Sequence, residues 1–316
     1  MDLDYLYFLQ CTRESAPDWI NILIYYISEF AGGALPTVIM GVIFWCVNRQ
    51  LGAKMLVGFC SANAVNGLMK VTACVYRPWI RDPRLYVADC AKGTATGYSF
   101  PSGHSTSAGA IYTSWALAVK KYKKWLVAVF VFLMVATLFA RNWLGAHTPQ
   151  DVIAGCLVGV IMVFVMNAVL DKTQKYNNGD LYLMLVVIVI VIMGVLYTEL
   201  KPYPLDLGAD GIYLADPYAM QTDTIKGLGM LLGSVVGYVI QKHFVTFSTD
   251  KVTLKTKVLR AIVGIFVVLV FYIGIGSLLT GVCGDHIGGF LKRFLAYFSA
   301  LVIAPYVFKL LKLDKK

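Results

Sequence analysis

Charged residues are scarce: 15% of the 316 residues are Asp, Glu, Lys or Arg, against about 25% in ordinary soluble domains. With 58% hydrophobic residues and a mean hydropathy of +0.68, that scarcity argues against a soluble globular enzyme and excludes a disordered chain. The seven cysteines include no Cys-x-x-Cys pair, so zinc-ligand spacing is missing and most of them read as small apolar residues. Cys74 and Cys90 would pair only in an oxidising compartment. No Gly-Lys-Ser/Thr follows Gly93 to Gly97, which excludes a phosphate loop of the nucleotide kind. No repeat, low-complexity tract or Pro-rich linker divides the chain. Residues 1–30 show no positively charged start followed by an apolar run and a cleavage site, so a cleaved signal peptide is not expected.

What the chain has in abundance is apolar runs. Nine stretches, approximately 31–47, 51–69, 102–119, 125–140, 152–170, 181–200, 225–241, 258–280 and 290–311, are long enough as helices to cross hydrocarbon roughly 30 Å thick. Their uniform apolarity suits helices rather than the alternating strands of a membrane barrel. The expectation is an all-α polytopic helical bundle of about nine transmembrane helices. The shorter stretch Trp19 to Phe30, with Trp19, Tyr25 and Tyr26, suits a helix lying in the interface or re-entering the bundle.

The net charge of +10 sorts itself by loop. One set of loops and span ends (Arg49, Lys54, the lysines of 120–124, Lys172, Lys175, five residues of 242–260, and Lys309, Lys312, Lys315 and Lys316) holds 17 of the 28 basic residues. The same set holds four of the 18 acids (Asp171, Asp180, Asp250 and Asp314), and the opposite side holds fourteen. Lysines in short loops beside spans are topology signals rather than a nucleic-acid surface, so the basic side is expected to be cytoplasmic. That puts the N-terminus outside and the C-terminus in the cytoplasm.

The opposite face gathers chemistry. The second span ends in Lys70, six residues, then Arg77-Pro78; the third begins Pro101-Ser102-Gly103-His104; the fourth ends at Arg141 and leads through His147-Thr-Pro-Gln-Asp151 into the fifth. Ionisable residues at span ends are costly and are functional hypotheses by default. Lys70, Arg77 and Arg141 match a tetrahedral oxyanion such as phosphate, and each arginine can give it two parallel hydrogen bonds. Ser102 and Gly103 open a helix, where a hydroxyl and unpaired N–H groups can close an anion cradle. Thr148 suits N-cap, Pro149 the first helical position, and Asp151 the third, which brings Asp151 close to His147. A histidine oriented by a carboxylate is an activated nucleophile or base, which leaves His104 to protonate a leaving group. Two imidazoles needing opposite protonation states predict a bell-shaped pH profile.

Each residue alone has a plainer reading. A single histidine in a membrane protein is usually an interhelical hydrogen-bonding group, and a single Arg or Lys at a span end snorkels. Ser102 could be an ordinary N-cap and Asp151 an ordinary first-turn acid. Their joint arrival at one face argues for a site. The acidic outer segment 199–224 fits no calcium loop and reads as solvated. His243 and His286 have no comparable partner set in the sequence and read as structural.

The three segments resemble the type 2 phosphatidic acid phosphatase superfamily of integral membrane lipid phosphatases. Its signature is Lys, six residues, Arg-Pro; then Pro-Ser-Gly-His; then Ser-Arg, five residues, His, three residues, Asp. Lys70, Arg77 and Pro78 match the first part, Pro101 to His104 the second, and Arg141, His147 and Asp151 the third, with Ala140 standing where the family usually has Ser. The resemblance covers about residues 1–170. It implies a phosphohistidine intermediate on His147, protonation of the leaving oxygen by His104, and no metal or cofactor. Residues 171–316, with four further spans, form an extension of unknown role beyond this catalytic core.

The expected activity is hydrolysis of a lipid phosphate or diphosphate at the outer membrane face, the lipid tail staying in the bilayer while its headgroup meets the cations. A bacterial plasma membrane is the expected setting. Two alternatives stay open: a lipid phosphotransferase using the same intermediate, and a transporter or binder of anionic lipid without turnover. Acceptor choice depends on cavity shape and water exclusion, which no motif encodes. A transport site would need the cations but not a carboxylate-oriented histidine.

Overall fold

The computed structural model describes residues 1–208 and 210–313. Asp314, Lys315 and Lys316, counted above with the basic face, lie outside the described residues. Helix accounts for 79% of the chain, and among the described residues the sole β pairing is one isolated bridge between Leu207 and Tyr213, so the chain is all-α as expected. In chain order the helices are α1 Asp2–Ser15, α2 Asp18–Gly32, α3 Leu35–Cys46, α4 Arg49–Ala73, α5 Pro78–Arg81, α6 Gly103–Val119, α7 Lys124–Trp143, α8 Pro149–Thr173, α9 Gly179–Leu200, α10 Pro217–Phe244, α11 Leu254–Leu269, α12 Gly276–Phe298 and α13 Ala304–Leu310. A 3₁₀ turn at Asp89–Thr94 lies between α5 and α6.

Among the described residues, five helical stretches are long and apolar enough to cross a membrane: α7, α8, α9, α10 and the stretch Leu254–Leu310. The pair α2 and α3, bent by 43°, makes a sixth if taken as one span. Nine runs were expected, and the difference has physical causes. Helix α4 interrupts its apolar run with Ser61, Asn63, Asn66 and Lys70, and α6 has 17 residues rich in Ser and Thr. In α6 those polar residues face protein: Ser105, Thr106, Ser107 and Ser114 are buried. Polar side chains of this kind lower the hydropathy of a helix below that of one surrounded by lipid.

The stretch Leu254–Leu310, 57 residues in all, is not one rod, which would be about 85 Å long. Gly284, at φ 77°, breaks the helix in the left-handed region that suits glycine. The chain folds back there, so that Arg260 Nε and Nη2 donate to the Leu313 carbonyl at 3.0 and 2.7 Å. Two arms result, coinciding with the runs read at 258–280 and 290–311. Arg260 is fully buried and also donates to the carbonyls of Trp45 and Ser248, with its guanidinium over the rings of Phe247 and Phe308. It ties these segments of the chain together.

The chain forms two compact units. One comprises Met1–Ala34, Val65–Val163 and Lys201–Gln221; the other comprises Leu35–Ala64, Phe164–Leu200 and the chain from Thr222 onward. All the chemistry singled out in the sequence belongs to the first. Its core gathers Leu9, Val87, Ala88, Ala91, Ala95, Trp143, Leu144 and Ala146, with Ile20, Ile24 and Tyr25 of α2 packed against them. Within this unit α6 and α8 touch backbone to backbone through glycine: a Cβ on Gly155 would lie 2.4 Å from the Ser102 carbonyl oxygen, and one on Gly159 would lie 2.3 Å from that of Thr106. Small residues at such a seam let membrane helices approach closely. Here the seam fixes the start of α6 beside the start of α8. The segment expected to lie in the interface, Trp19 to Phe30, falls within α2, which packs on α6 and α7 and buries Ser28 and Ala31.

Candidate active site

The first segment is placed by the end of α4. Lys70 sits in the last turn and donates from Nζ to the Tyr98 carbonyl at 2.8 Å. The chain then turns through Cys74, at φ 47°, into Arg77, which is the N-cap of α5 with Pro78 in the first turn. Arg77 is buried and held by three backbone carbonyls. Its Nε donates to Gly97 at 2.9 Å, Nη2 to Thr96 at 2.5 Å and Nη1 to Ala146 at 2.8 Å. The same Nη1 lies 2.9 Å from His147 Nε2. Burial, and then the charge of Arg141, pulls the Arg77 guanidinium below its ordinary value. A pocket that destabilises its own cations in this way favours an anion.

The second segment opens α6. Ser102 is the N-cap, its Oγ accepting from the Ser105 N–H at 3.3 Å and from Ser105 Oγ at 2.9 Å, which leaves its own O–H as a donor. Its N–H donates to the Asp151 carbonyl at 3.0 Å, joining this segment to the third. Beside Gly103 there is room, since a Cβ there would find Asn66 Oδ1 at 3.8 Å and nothing nearer. Asn66 Nδ2 holds the turn from below through Thr106 Oγ1 at 2.8 Å and the Pro101 carbonyl at 3.3 Å. His104, in the first turn, turns Nε2 to Glu29 Oε1 of α2 at 2.9 Å.

The third segment supplies the remaining groups. Arg141, in the last turn of α7, is fully buried. One of its nitrogens, Nη1, donates to Ser28 Oγ at 3.1 Å and lies 3.7 Å from Glu29 Oε1. Among the described residues its Nε and Nη2 have no hydrogen-bond partner. Beyond α7 the chain turns, and Asn142 Nδ2 fixes it by donating to the His147 carbonyl at 2.9 Å. The expected cap forms: the Thr148 N–H donates to Asp151 Oδ2 at 2.8 Å, and the Asp151 N–H faces Thr148 Oγ1 at 3.4 Å.

One detail differs from the direct His147 to Asp151 contact that the cap suggested. Nδ1 and Oδ2 are 3.6 Å apart, within ion-pair range but beyond a hydrogen bond. Ser99 stands beside both, donating from Oγ to Asp151 Oδ2 at 2.6 Å and lying 3.4 Å from His147 Nδ1. Because Arg77 can only donate, Nε2 of His147 is an acceptor, so the ring proton is on Nδ1 and points toward Ser99. The path runs from Nδ1–H to Ser99 Oγ and from Ser99 O–H to Asp151, and the Nε2 lone pair faces the cations. Burial first, and then the charges of Arg77, Arg141 and Lys70, hold His147 well below the ordinary imidazole value. It is a neutral base at pH 7.

All eight residues singled out in the sequence thus occur in one unit, and the charges of Arg77, Arg141, Lys70 and His104 all act on His147. Sequence reading passed over Ser28, Glu29 and Ser99. Glu29 had a signal, an acid in an otherwise apolar segment; Ser99 had none beyond its closeness to Ser102.

Comparison with known proteins yields two family models. The PAP2 superfamily model matches residues 51–175, and the model described as PAP2 superfamily phosphatase, transmembrane extension, matches residues 225–316. Among curated relatives, a lipid A 1-phosphatase of Rhizobium etli is 42% identical over 67 residues, 21% of this chain and 27% of that protein. A phosphatidylglycerophosphatase B of Bacillus subtilis is 24% identical over 172 residues, 51% of this chain and 80% of the relative. An undecaprenyl-diphosphatase of Sulfolobus acidocaldarius is 28% identical over 119 residues, 37% of this chain and 54% of the relative. The chain spans about a quarter of the length of the lipid A 1-phosphatases it matches, 27% and 23%. No solved structure matches it significantly.

Proposed function

This chain belongs to the PAP2 superfamily and is an integral membrane protein, and on that premise we propose that it hydrolyses a membrane lipid phosphate or diphosphate through a phosphohistidine on His147. Arg141 carries this reading: a fully buried guanidinium in which two nitrogens, Nε and Nη2, have no partner among the described residues. Each unpaired donor costs about 1–3 kcal/mol, and more on a charged group, a cost that a phosphate oxygen removes. Lys70, Arg77 and Arg141 hold the phosphate, with the Ser102 hydroxyl and the Gly103 N–H completing the cradle. The Nε2 lone pair of His147 attacks phosphorus as Arg77 Nη1 moves from that nitrogen to a phosphate oxygen. The ring's growing positive charge is met through Ser99 by Asp151. His104 gives its proton to the leaving oxygen. Water, deprotonated by His104, then cleaves the P–N bond and frees phosphate.

The substrate class is supported by relatives named for three lipid phosphatase activities. The proposal extends to nine spans with the basic loops cytoplasmic, the site on the non-cytoplasmic face of a bacterial plasma membrane, a catalytic core within 1–170, and 171–316 as a membrane extension. The two arms of Leu254–Leu310 and the uneven loop charge support it. The test is phosphate release by purified protein, in the presence of EDTA, from phosphatidic acid, phosphatidylglycerol phosphate, sphingoid-base phosphate and polyprenyl diphosphate, with His147→Ala alongside. Release that survives chelation and is lost in the variant is expected. No release from any lipid by folded protein overturns the reading.

A further inference from the structure

Helix α2 lies outside residues 51–175, and none of its side chains has a place in the signature. Three residues of one of its turns nonetheless reach the site. Ser28 Oγ accepts from Arg141 Nη1 at 3.1 Å, and Glu29 Oε1 sits 2.9 Å from His104 Nε2. Gly32 brings the backbone against the same imidazole, since a Cβ there would lie 2.4 Å from His104 Cδ2 and Nε2. Among the described residues Glu29 is the one carboxylate within ion-pair distance of His104. The other charged groups acting on that ring are Arg141 of α7 and Arg77 before α5, both positive.

We propose that Glu29 is a positioning residue that holds the proton on His104 Nε2 until the leaving oxygen takes it. The step rests on the phosphatase reading above. As the bond from His147 Nε2 to phosphorus forms and the bond from phosphorus to the leaving oxygen breaks, the departing oxygen keeps the electron pair. It takes the proton from His104, whose ring becomes neutral, while Glu29 stays a carboxylate. Without an anion at this position, a cationic imidazolium would face two guanidinium groups with nothing to offset them. The need is greatest where the leaving oxygen is a strongly basic alkoxide, and slight where it is already stable as an anion.

That difference supplies the test. Wild type, Glu29→Gln, Glu29→Asp and His104→Gln are compared by kcat/KM, which covers every step through loss of the leaving group, on phosphatidic acid and on p-nitrophenyl phosphate. Glu29→Gln preserves size and one acceptor oxygen, and is expected to lose about 10²-fold on the alkyl ester and at most a few-fold on the aryl ester. Glu29→Asp should recover part of the alkyl loss, and His104→Gln should show the same contrast more strongly. Equal losses of Glu29→Gln on both esters, or no loss on either, would overturn the role of Glu29 while leaving the phosphatase reading intact. A wild type inactive on both esters and on the other lipids would instead remove the phosphatase reading itself.

Discussion

Replacing Arg141 by lysine keeps the charge and removes the geometry, so it isolates what the two unpartnered nitrogens do. In the resting protein Nη1 is occupied by Ser28, while Nε and Nη2 face no acceptor among the described residues. If these two donate in parallel to phosphate oxygens, each bond is charge-assisted and contributes about 1.5–3 kcal/mol. A lysine ammonium concentrates its donors on one nitrogen, and can recover one such bond but not the planar pair. The net loss is therefore one bond, about 1.5–3 kcal/mol, or roughly 10- to 10²-fold in kcat/KM at about 1.4 kcal/mol per tenfold. Alanine, which leaves no donor, should lose both bonds and fall by roughly 10²- to 10⁴-fold. Phosphate release from phosphatidic acid in mixed micelles measures both variants. An Arg141→Lys protein within about threefold of wild type would refute the reasoning, because the open N–H groups would then have no substrate to hold.

Four further outcomes are expected. Because burial and three neighbouring cations hold His147 below the ordinary value of 6.5, the acid limb of kcat/KM should lie well below that pH; an inflection at 6.5 or above would contradict it. The same depression makes the unfolded chain bind a proton that the native chain refuses as pH falls below 6.5, so His147 lowers stability progressively from there down to its folded value, which chemical denaturation against pH will register. Ser99→Ala removes the hydroxyl between His147 and Asp151, a buried charge-assisted bond of about 1.5–3 kcal/mol, and should lower kcat/KM by roughly 10- to 10²-fold; unchanged turnover would mean that the 3.6 Å His–Asp pair suffices. Gly159→Ala forces a Cβ to within 2.3 Å of the Thr106 carbonyl oxygen and should cost about 1–3 kcal/mol of stability, read as a lowered melting temperature; an unshifted melt would show that the seam can open.

Much of the site was legible because its rules are local. The Thr148 to Asp151 cap follows from residue types three positions apart, and α6 and α8 begin where N-cap residues precede apolar runs. The spans α7 to α10 were legible as unbroken apolar runs. The runs read at 51–69 and 102–119 correspond to α4 and α6, but their Ser and Asn residues bring their hydropathy below what lipid contact demands. The turn at Gly284 falls in the gap between the runs read at 258–280 and 290–311. Glu29 meets His104 across 75 positions, and Ser99 meets Asp151 across 52. Contacts at such separations leave no period or spacing in the chain.

By itself, then, the sequence determined the helical class and the membrane setting, and it singled out eight candidate residues that the fold brings into one compact unit. All of these depend on composition, on runs of residues, or on positions within one helical turn. The tertiary structure alone decided that Ser99 stands between the imidazole and its carboxylate, that Arg141 keeps two donors open, and that α2 brings Ser28 and Glu29 to the site. Those facts come from packing between helices far apart in the chain, where the shapes of whole faces, rather than any short pattern, set which atoms meet.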